Sequence, residues 1–270
     1  MARLDGMGRF MNVTCNAALH DARDLRGDGP ALRAAAASSG YIYLPGLLAP
    51  HEVDPLRRKV LAICADLGLL AERRAEVPRA RPGAHLEPHV SAPWIELQKR
   101  IAVCPSFVAL ARHPSILAVL STLFATRPAL HRGDVCRVFL PEARELDTPP
   151  HQDLFFLRRS GFHRPEEIWS AWIPLDDGSP ELGGLALVPG SHRGGLRAHH
   201  ELDERGDRIV GSECESWAAV PMRRGDVVFL SCLTVHCGLA NRTRDRIRLS
   251  VDYRYQPERD AGRAEAQVQA

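Results

Sequence analysis

Lysine is nearly missing from this chain: of 35 basic residues only Lys59 and Lys99 are lysines, the rest being arginine. Such a bias reads as the codon usage of a GC-rich genome before it reads as chemistry. Excess charge of one sign is missing too. A formal net charge of +2 leaves no general basic surface of the kind that holds nucleic acid by counterion release, so no nucleic-acid partner is expected. Paired cysteine spacing is absent. Cys15, Cys64, Cys104, Cys136, Cys214, Cys232 and Cys237 are odd in number, scattered and without a C-x-x-C, which excludes a disulfide framework or a zinc ribbon and fits a reducing cytoplasm. The opening MARLDGMGRFMNVTC has no apolar signal core, and no run approaches the ~20 apolar residues of a membrane helix. The expectation is a cytoplasmic protein with no membrane partner; nothing in the sequence speaks to its oligomeric state.

What is present is 45% hydrophobic residues spread over 270 positions without a fixed-period repeat. That is enough for one sizeable core, and residues 1–257 are expected to form one domain with a disordered tail at 258–270. The first 125 residues read as helical. From Pro50 to Leu70, the residues Val53, Leu56, Val60, Ile63, Leu67 and Leu70 recur every three or four positions and build one apolar stripe. Pro50, Glu52 and Asp54 mark the start of that helix. Ala31–Ser39, closed by Gly40, and Ser115–Phe124 are two further helices. Residues 72–93 are rich in proline and arginine and have no periodicity, so they are a loop, either a solvated connector or a substrate lid.

From Val135 the texture changes. VCRVFL, IWSAWIPL, GLALV, DVVFL, LTVHC and RIRLSVDYRY are short apolar runs bounded by turn residues, as in an antiparallel sandwich or barrel. The last run alternates strictly. Ile247, Leu249, Val251, Tyr253 and Tyr255 fall on one strand face, and Arg246, Arg248, Ser250, Asp252 and Arg254 on the other. The first row is core; the second faces water or a polar cavity, where its arginines need an anionic partner.

Within PPHQDLFF lies His151-x-Asp153, and His236 follows in LTVHC. Two residues apart on a strand, His151 and Asp153 project to one side, and a histidine from a neighbouring strand completes one face of an octahedron. Two imidazoles and a carboxylate suit Fe(II) and leave three positions open. The spacing alone is nonspecific, since His85-Leu-Glu87 and His199-His-Glu201 repeat it. Those two sit in a Pro/Arg loop and a charged stretch, and His199 and His200 are expected to be solvated. Arg248-Leu-Ser250 offers a guanidinium fork and a hydroxyl for the far carboxylate of 2-oxoglutarate, with Arg246 as the second candidate. Cys237 reads as strand filler, Gly183-Gly184 and Gly225-Asp226 as hairpin turns, and His192 in PGSH as part of a turn. Arg158, Arg159 and the arginines of residues 73–81 face either an anionic substrate group or water.

Six segments stand in a fixed order: P-x-H-Q-D-L, S-A-W-I-P-L-D-D, G-G-L-A-L-V-P-G-S-H, G-D-V-V-F, T-V-H-C-G-x-x-N-R-T and R-I-R-L-S-V-D-Y-R-Y-Q. In that order, across residues 30–256, the chain resembles the phytanoyl-CoA dioxygenase family. The resemblance implies a mostly β protein with flanking helices: a double-stranded β-helix (jelly roll, cupin-like) over about 135–256, preceded by a helical part over about 30–125. It implies Fe(II), 2-oxoglutarate and O2 as cofactors, with His151, Asp153 and His236 as iron ligands and Arg248 with Ser250 as the carboxylate clamp. Gln152 and Trp172 match positions that line the cosubstrate pocket, although a buried strand tryptophan is also plain core. Because Asp153 is present, where related halogenases carry Gly or Ala, oxygen insertion is favoured over chlorination. The activity implied is hydroxylation of an aliphatic C–H of a small molecule in a biosynthetic or catabolic pathway. Desaturation, epimerisation or cyclisation by the same cofactors, and a non-catalytic cupin-like binding protein, are the alternatives.

Overall fold

The alternation at the C-terminal end of the chain sets the layer plan of the computed structural model, which describes residues 3–4, 10–12, 14–73, 77–88, 91–131, 133–141, 148–159, 164–201, 208–210 and 216–258. The helices are α1 (Gly29–Ser39), α2 (Pro50–Asp66), α3 (Ala92–Ala102), α4 (Pro105–Ala111), α5 (Pro114–Phe124) and α6 (Asp153–Leu157). The strands before the turn at 152 are β1 (Arg3–Leu4), β2 (Phe10–Asn12), β3 (Cys15–Ala17), β4 (Tyr41–Leu44), β5 (Pro128–Leu130), β6 (Val135–Phe139) and β7 (Thr148–His151). Those after it are β8 (Trp169–Pro174), β9 (Leu185–Leu187), β10 (His199–Glu201), β11 (Arg208–Val210), β12 (Trp217–Ala218), β13 (Val227–Ser231), β14 (His236–Gly238) and β15 (Arg248–Pro257). Of the tail expected to be disordered at 258–270, Glu258 donates its N–H to Arg127 O at 2.9 Å, and 259–270 lie outside the described residues.

Two sheets carry the architecture. One runs β4-β13-β8-β15-β5, with β6 also paired to β15; the other runs β3-β12-β9-β14-β7. Their inner faces meet through Tyr41, Tyr43, Trp172 and Val228 from the first and Leu185 and Leu187 from the second. This is the double-stranded β-helix. The outer face of the first sheet is covered by helices: Val53, Leu56, Val60 and Ile63 of α2 pack in one cluster with Ile173, Phe229, Val251, Tyr253 and Tyr255. All ten residues of β15 are buried. Its apolar row meets the helices, and its polar row (Arg248, Ser250, Asp252 and Arg254 within the strand) faces the interior between the sheets.

Several boundaries differ from the sequence reading. Helix α2 stops at Asp66 because Gly68 adopts φ 71°, a left-handed position that glycine tolerates and that ends helices. Leu70 then bridges to Ala80. The helical region also contains a strand: β4 pairs residue for residue with β13, from Leu44 opposite Val227 to Tyr41 opposite Leu230. With both faces buried it shows no alternation. Two helices beyond the three expected, α3 and α4, complete the layer. The stretch Pro105–Phe124 is long and apolar enough to pass for a membrane span. It is instead two helices broken at His113–Pro114, with Phe107, Leu110, Ile116, Val119 and Leu120 in the core. Within the Pro/Arg loop, Ala80 N–H donates to Asp245 O at 2.7 Å and Ile247 N–H to Pro78 O at 3.0 Å, which fastens the described part of the loop beside the start of β15. Arg73 pairs with Asp66 and Arg79 with Asp245, so these two arginines are surface ion pairs.

Candidate active site

Strands β14 and β7 are antiparallel neighbours, and their register sets His236 directly opposite His151. The two rings lie 4.2 Å apart, centroid to centroid. Each Nδ1 bonds a backbone carbonyl two residues earlier: His151 to Pro149 O at 2.8 Å and His236 to Thr234 O at 2.9 Å. In the neutral ring this places the proton on Nδ1 and turns the Nε2 lone pair inward, as metal-ligating histidines require. Burial, and then the neighbouring His151, push the His236 pKa down to about 4, so its imidazole is neutral at physiological pH. Cys237, of opposite parity, packs with Ala186, Val188 and Trp217.

Asp153 reaches the same point by a route the strand argument did not foresee. The strand ends at His151, and Asp153 is the first residue of α6. The turn between them is held by Gln152, whose amide donates to Gly195 O at 2.9 Å and Leu233 O at 2.6 Å and accepts from Arg197 N–H at 2.8 Å. Leu154 N–H also donates to Cys232 O at 3.0 Å. Those bonds are why Gln152 is not found on the cleft wall described below. The expectation that it lines the cosubstrate pocket is not met; it fixes the turn that delivers the carboxylate.

The carboxylate oxygens of Asp153 divide in function. Oδ1 lies 3.6 Å from His151 Nε2 and 3.8 Å from His236 Nε2. Oδ2 accepts from Ser170 Oγ at 2.8 Å, and Arg254 Nη2 stands 3.4 and 3.3 Å from Oδ1 and Oδ2. Burial alone would raise this acid; the Arg254 guanidinium and the two histidines outweigh it and hold the carboxyl well below the usual range. Ser170 and Arg254 face each other in register across β8 and β15. Sequence reading did not single them out for this role, although the alternation of β15 already placed Arg254 in the polar row. One candidate ligand atom from each of His151, Asp153 and His236 lies within 4.8 Å of the others, all three buried. One anionic oxygen and two imidazole nitrogens converging at this spacing fit a divalent iron bound through one face.

Beside the triad opens a cleft whose wall includes Trp172, Arg137, Asp252 and Arg248. Arg248 lays its guanidinium over Phe139 at 4.2 Å and donates from Nη1 to Leu239 O at 2.7 Å. Gly183, at φ 74°, leaves the room: a Cβ there would stand 2.9 Å from Arg248 Nη1. Ser250, two positions along the same face, is fully buried with a hydroxyl oxygen that has no hydrogen-bond partner among the described residues. A buried orphan hydroxyl is rare in a native protein, and beside a guanidinium it fits a carboxylate ligand. Arg246 precedes the strand and donates to Asp177 O at 3.2 Å, away from this cleft. Arg137 binds Asp252 at 2.5 Å.

His199 corrects another expectation. It is half-buried, stacks on Phe155 at 4.2 Å with ring planes 15° apart, and its Nε2 accepts from Gln152 N–H at 3.1 Å. Its carbonyl-bonded Nδ1 and its burial, which lowers its pKa, make it a neutral support of the turn at Gln152. His200 is exposed, and His192 holds Ala37 O in the turn at Gly190.

Comparison with known proteins agrees with this geometry. The family model for phytanoyl-CoA dioxygenase (PhyH) matches residues 37–250. The chain is 26% identical over 233 residues to 1-deoxypentalenic acid 11-beta-hydroxylase of Streptomyces arenae, covering 81% of this chain and 77% of that protein. Among solved structures it resembles the non-heme alpha-ketoglutarate-dependent carbocyclase SnoK from nogalamycin biosynthesis, with TM-score 0.60 and 25% identity over 84% of this chain and 83% of the other. It also resembles the epimerase SnoN in complex with Fe3+, alpha-ketoglutarate and nogalamycin RO, with TM-score 0.62 and 23% identity over 86% and 84%.

Proposed function

Because the chain belongs to the phytanoyl-CoA dioxygenase family and is an Fe(II)- and 2-oxoglutarate-dependent oxygenase, we propose that it hydroxylates an aliphatic C–H of a small molecule. In this reading His151, Asp153 and His236 ligate the iron, and Arg248, Ser250 and Trp172 receive 2-oxoglutarate. The observation that carries it is the buried triad with both Nδ1 atoms engaged by carbonyls, opening on a cleft walled by the Arg248 guanidinium, with the orphan hydroxyl of Ser250 two positions along the same strand face. Family membership sets aside the non-catalytic binding protein.

Iron with 2-oxoglutarate and O2 supplies the oxidant. The chain's own part is geometric and electrostatic. Ser170 engages Asp153 Oδ2 while Arg254 spans both oxygens, so Oδ1 is the oxygen turned toward the two histidine Nε2 atoms. Pro149 O and Thr234 O keep both imidazoles in the ligating tautomer. Arg248 orients the cosubstrate through its far carboxylate, and Trp172 closes one wall of the cleft. The aspartate at position 153 and the hydroxylase relative at 26% identity favour hydroxylation. The carbocyclase relative at 25% keeps ring closure, with its shared cofactor chemistry, as the second reading. Six free cysteines among the described residues support a reducing cytoplasm, and the relative named for a step of nogalamycin biosynthesis supports a role in secondary metabolism.

The test is anaerobic addition of Fe(II) and 2-oxoglutarate to metal-free protein. The reading expects the visible charge-transfer band of the chelate, lost in Asp153→Ala, and O2-dependent succinate release when substrate is present. An absent band, or iron bound equally by Asp153→Ala and the parent, refutes it.

A further inference from the structure

The five residues of α6 carry more than the metal carboxylate. Phe155 is buried, but Phe156 is 46% exposed, in the helix that begins with Asp153. Single exposed apolar residues are ordinary on protein surfaces; the position of this one is not. Its ring stands edge-on to the candidate ligand His151, at 5.9 Å between centroids and 66° between planes. An exposed phenyl touching the outer edge of an iron ligand is a surface on which the apolar part of a substrate can lie within reach of the metal.

Immediately beyond it, Arg158 and Arg159 are both exposed, and neither guanidinium has an ion-pair or hydrogen-bond partner among the described residues. Yet they do not extend freely into solvent. Both lie against the Phe155 ring, Arg158 at 4.7 Å and Arg159 at 5.3 Å from its centroid. His199 stacks on the same ring at 4.2 Å, so the ring itself is locked. A guanidinium already held over an aromatic face loses less freedom on binding an anion than one that must be ordered first. The nearby acids do not compete: Glu166 and Glu167 are both engaged by Arg164, at 4.0 and 2.5 Å. The rim of the site therefore presents an apolar plate next to the metal position and, two and three residues on, a pair of positioned cations without an anionic partner among the described residues.

We propose that the substrate is an amphipathic anion whose apolar skeleton lies on Phe156 and whose carboxylate or phosphate head is gripped by Arg158 and Arg159. This rests on the oxygenase reading and adds the substrate class to it. The head anchors the molecule at the rim, so the carbon oxidised lies on the apolar skeleton and away from the head.

The test uses the anaerobic Fe(II)/2-oxoglutarate holoenzyme and three probes on each of two skeletons: decanoic acid, decyl phosphate and 1-decanol, with adamantane-1-carboxylic acid, 1-adamantyl phosphate and 1-adamantanemethanol. Binding is read as perturbation of the chelate band and, after admission of O2, as stimulated succinate formation. At least one anion is expected to bind more tightly than the alcohol of the same skeleton. The preference should fall about tenfold or more in Arg158→Ala/Arg159→Ala and be partly restored in Arg158→Lys/Arg159→Lys. Phe156→Ala should weaken anion and alcohol together. The better of the carboxylate and phosphate arms identifies the head. Equal binding of anions and alcohols, an anion preference that survives the double alanine variant, or no response to any probe while the chelate band forms, each overturns the proposal. Failure of the chelate band itself counts against the oxygenase reading instead. Superimposable melting curves exclude loss of folding as the cause of a variant's effect.

Discussion

Arg254 offers the sharpest test of how the metal carboxylate is held. It is 7% exposed, donates toward both oxygens of Asp153 at 3.4 and 3.3 Å, and also bonds Gly133 O. Arg254→Met keeps most of the side-chain volume and removes the charge. Asp153, 5% exposed, then retains Ser170 and the imidazoles of His151 and His236 but loses its only nearby permanent cation among the described residues. Removing one partner of a buried pair costs about 3–5 kcal/mol. At about 2–4 °C per kcal/mol for a chain of this size, the metal-free variant should melt roughly 6–20 °C below the parent. A divalent ion at the triad replaces the missing positive charge, so the gap should narrow when both proteins are saturated with Fe(II) under nitrogen. Paired melting curves by circular dichroism, in chelator and in metal, measure both numbers. A loss below about 2 °C, or one that is the same with and without metal, would refute the electrostatic account and leave Arg254 as packing.

Other outcomes follow from the same geometry. If Arg248 and Ser250 form the proposed clamp, Arg248→Ala should weaken 2-oxoglutarate binding by about 100-fold or more through the loss of two charge-assisted bonds, whereas Ser250→Ala should cost about threefold to tenfold; anaerobic titration of the chelate band measures both. Asp134, beside the backbone of Arg254, has its pKa raised from 3.8 to about 6, chiefly by burial. A raised acid contributes stability below its unfolded pKa and loses it as pH rises through about 6. Asp134→Asn should therefore stabilise the protein at pH 7.5 by about 1–2 kcal/mol after solvent screening, and should melt with the parent near pH 4. An equal shift at both pH values would contradict this. Gly225 has φ 93°, and a Cβ there would stand 2.0 Å from Leu48 O, so Gly225→Ala should lose more than about 4 kcal/mol and fail to give a cooperative melt.

What the sequence made legible was what a short window can carry. The period of two in Arg246–Tyr255 separated the cleft face of β15 from its helix-packed face, and the period near 3.6 located α2. The triad emerged because a distal histidine in a strand-like run could be matched to His151-x-Asp153. The rest depended on partners far along the chain. Asp153 sits on a helix of five residues, too short to show a period, whose turn is fixed by contacts to Gly195 and Leu233. Arg254 was visible as a polar-row residue, but its partner is 101 positions away. Strand β4 is buried on both faces, so it lacks the alternation that marks a strand. His199 stood in a charged stretch, and only the fold brings Phe155 beneath it.

The ten buried residues of β15 also constrain how this enzyme can change. Both faces of the strand are committed, one to the helical core and one to the cleft, so inserting or deleting a single residue near its start would exchange them. Arg248 and Arg254 would turn into the apolar layer and Leu249 and Val251 into the metal site. Such a lineage loses fold and chemistry in one step, with no neutral intermediate along the strand. New specificity therefore has to arise where neither role is fixed, at Phe156, Arg158 and Arg159 on the rim, so divergent relatives should vary there while the spacing of β15 stays constant.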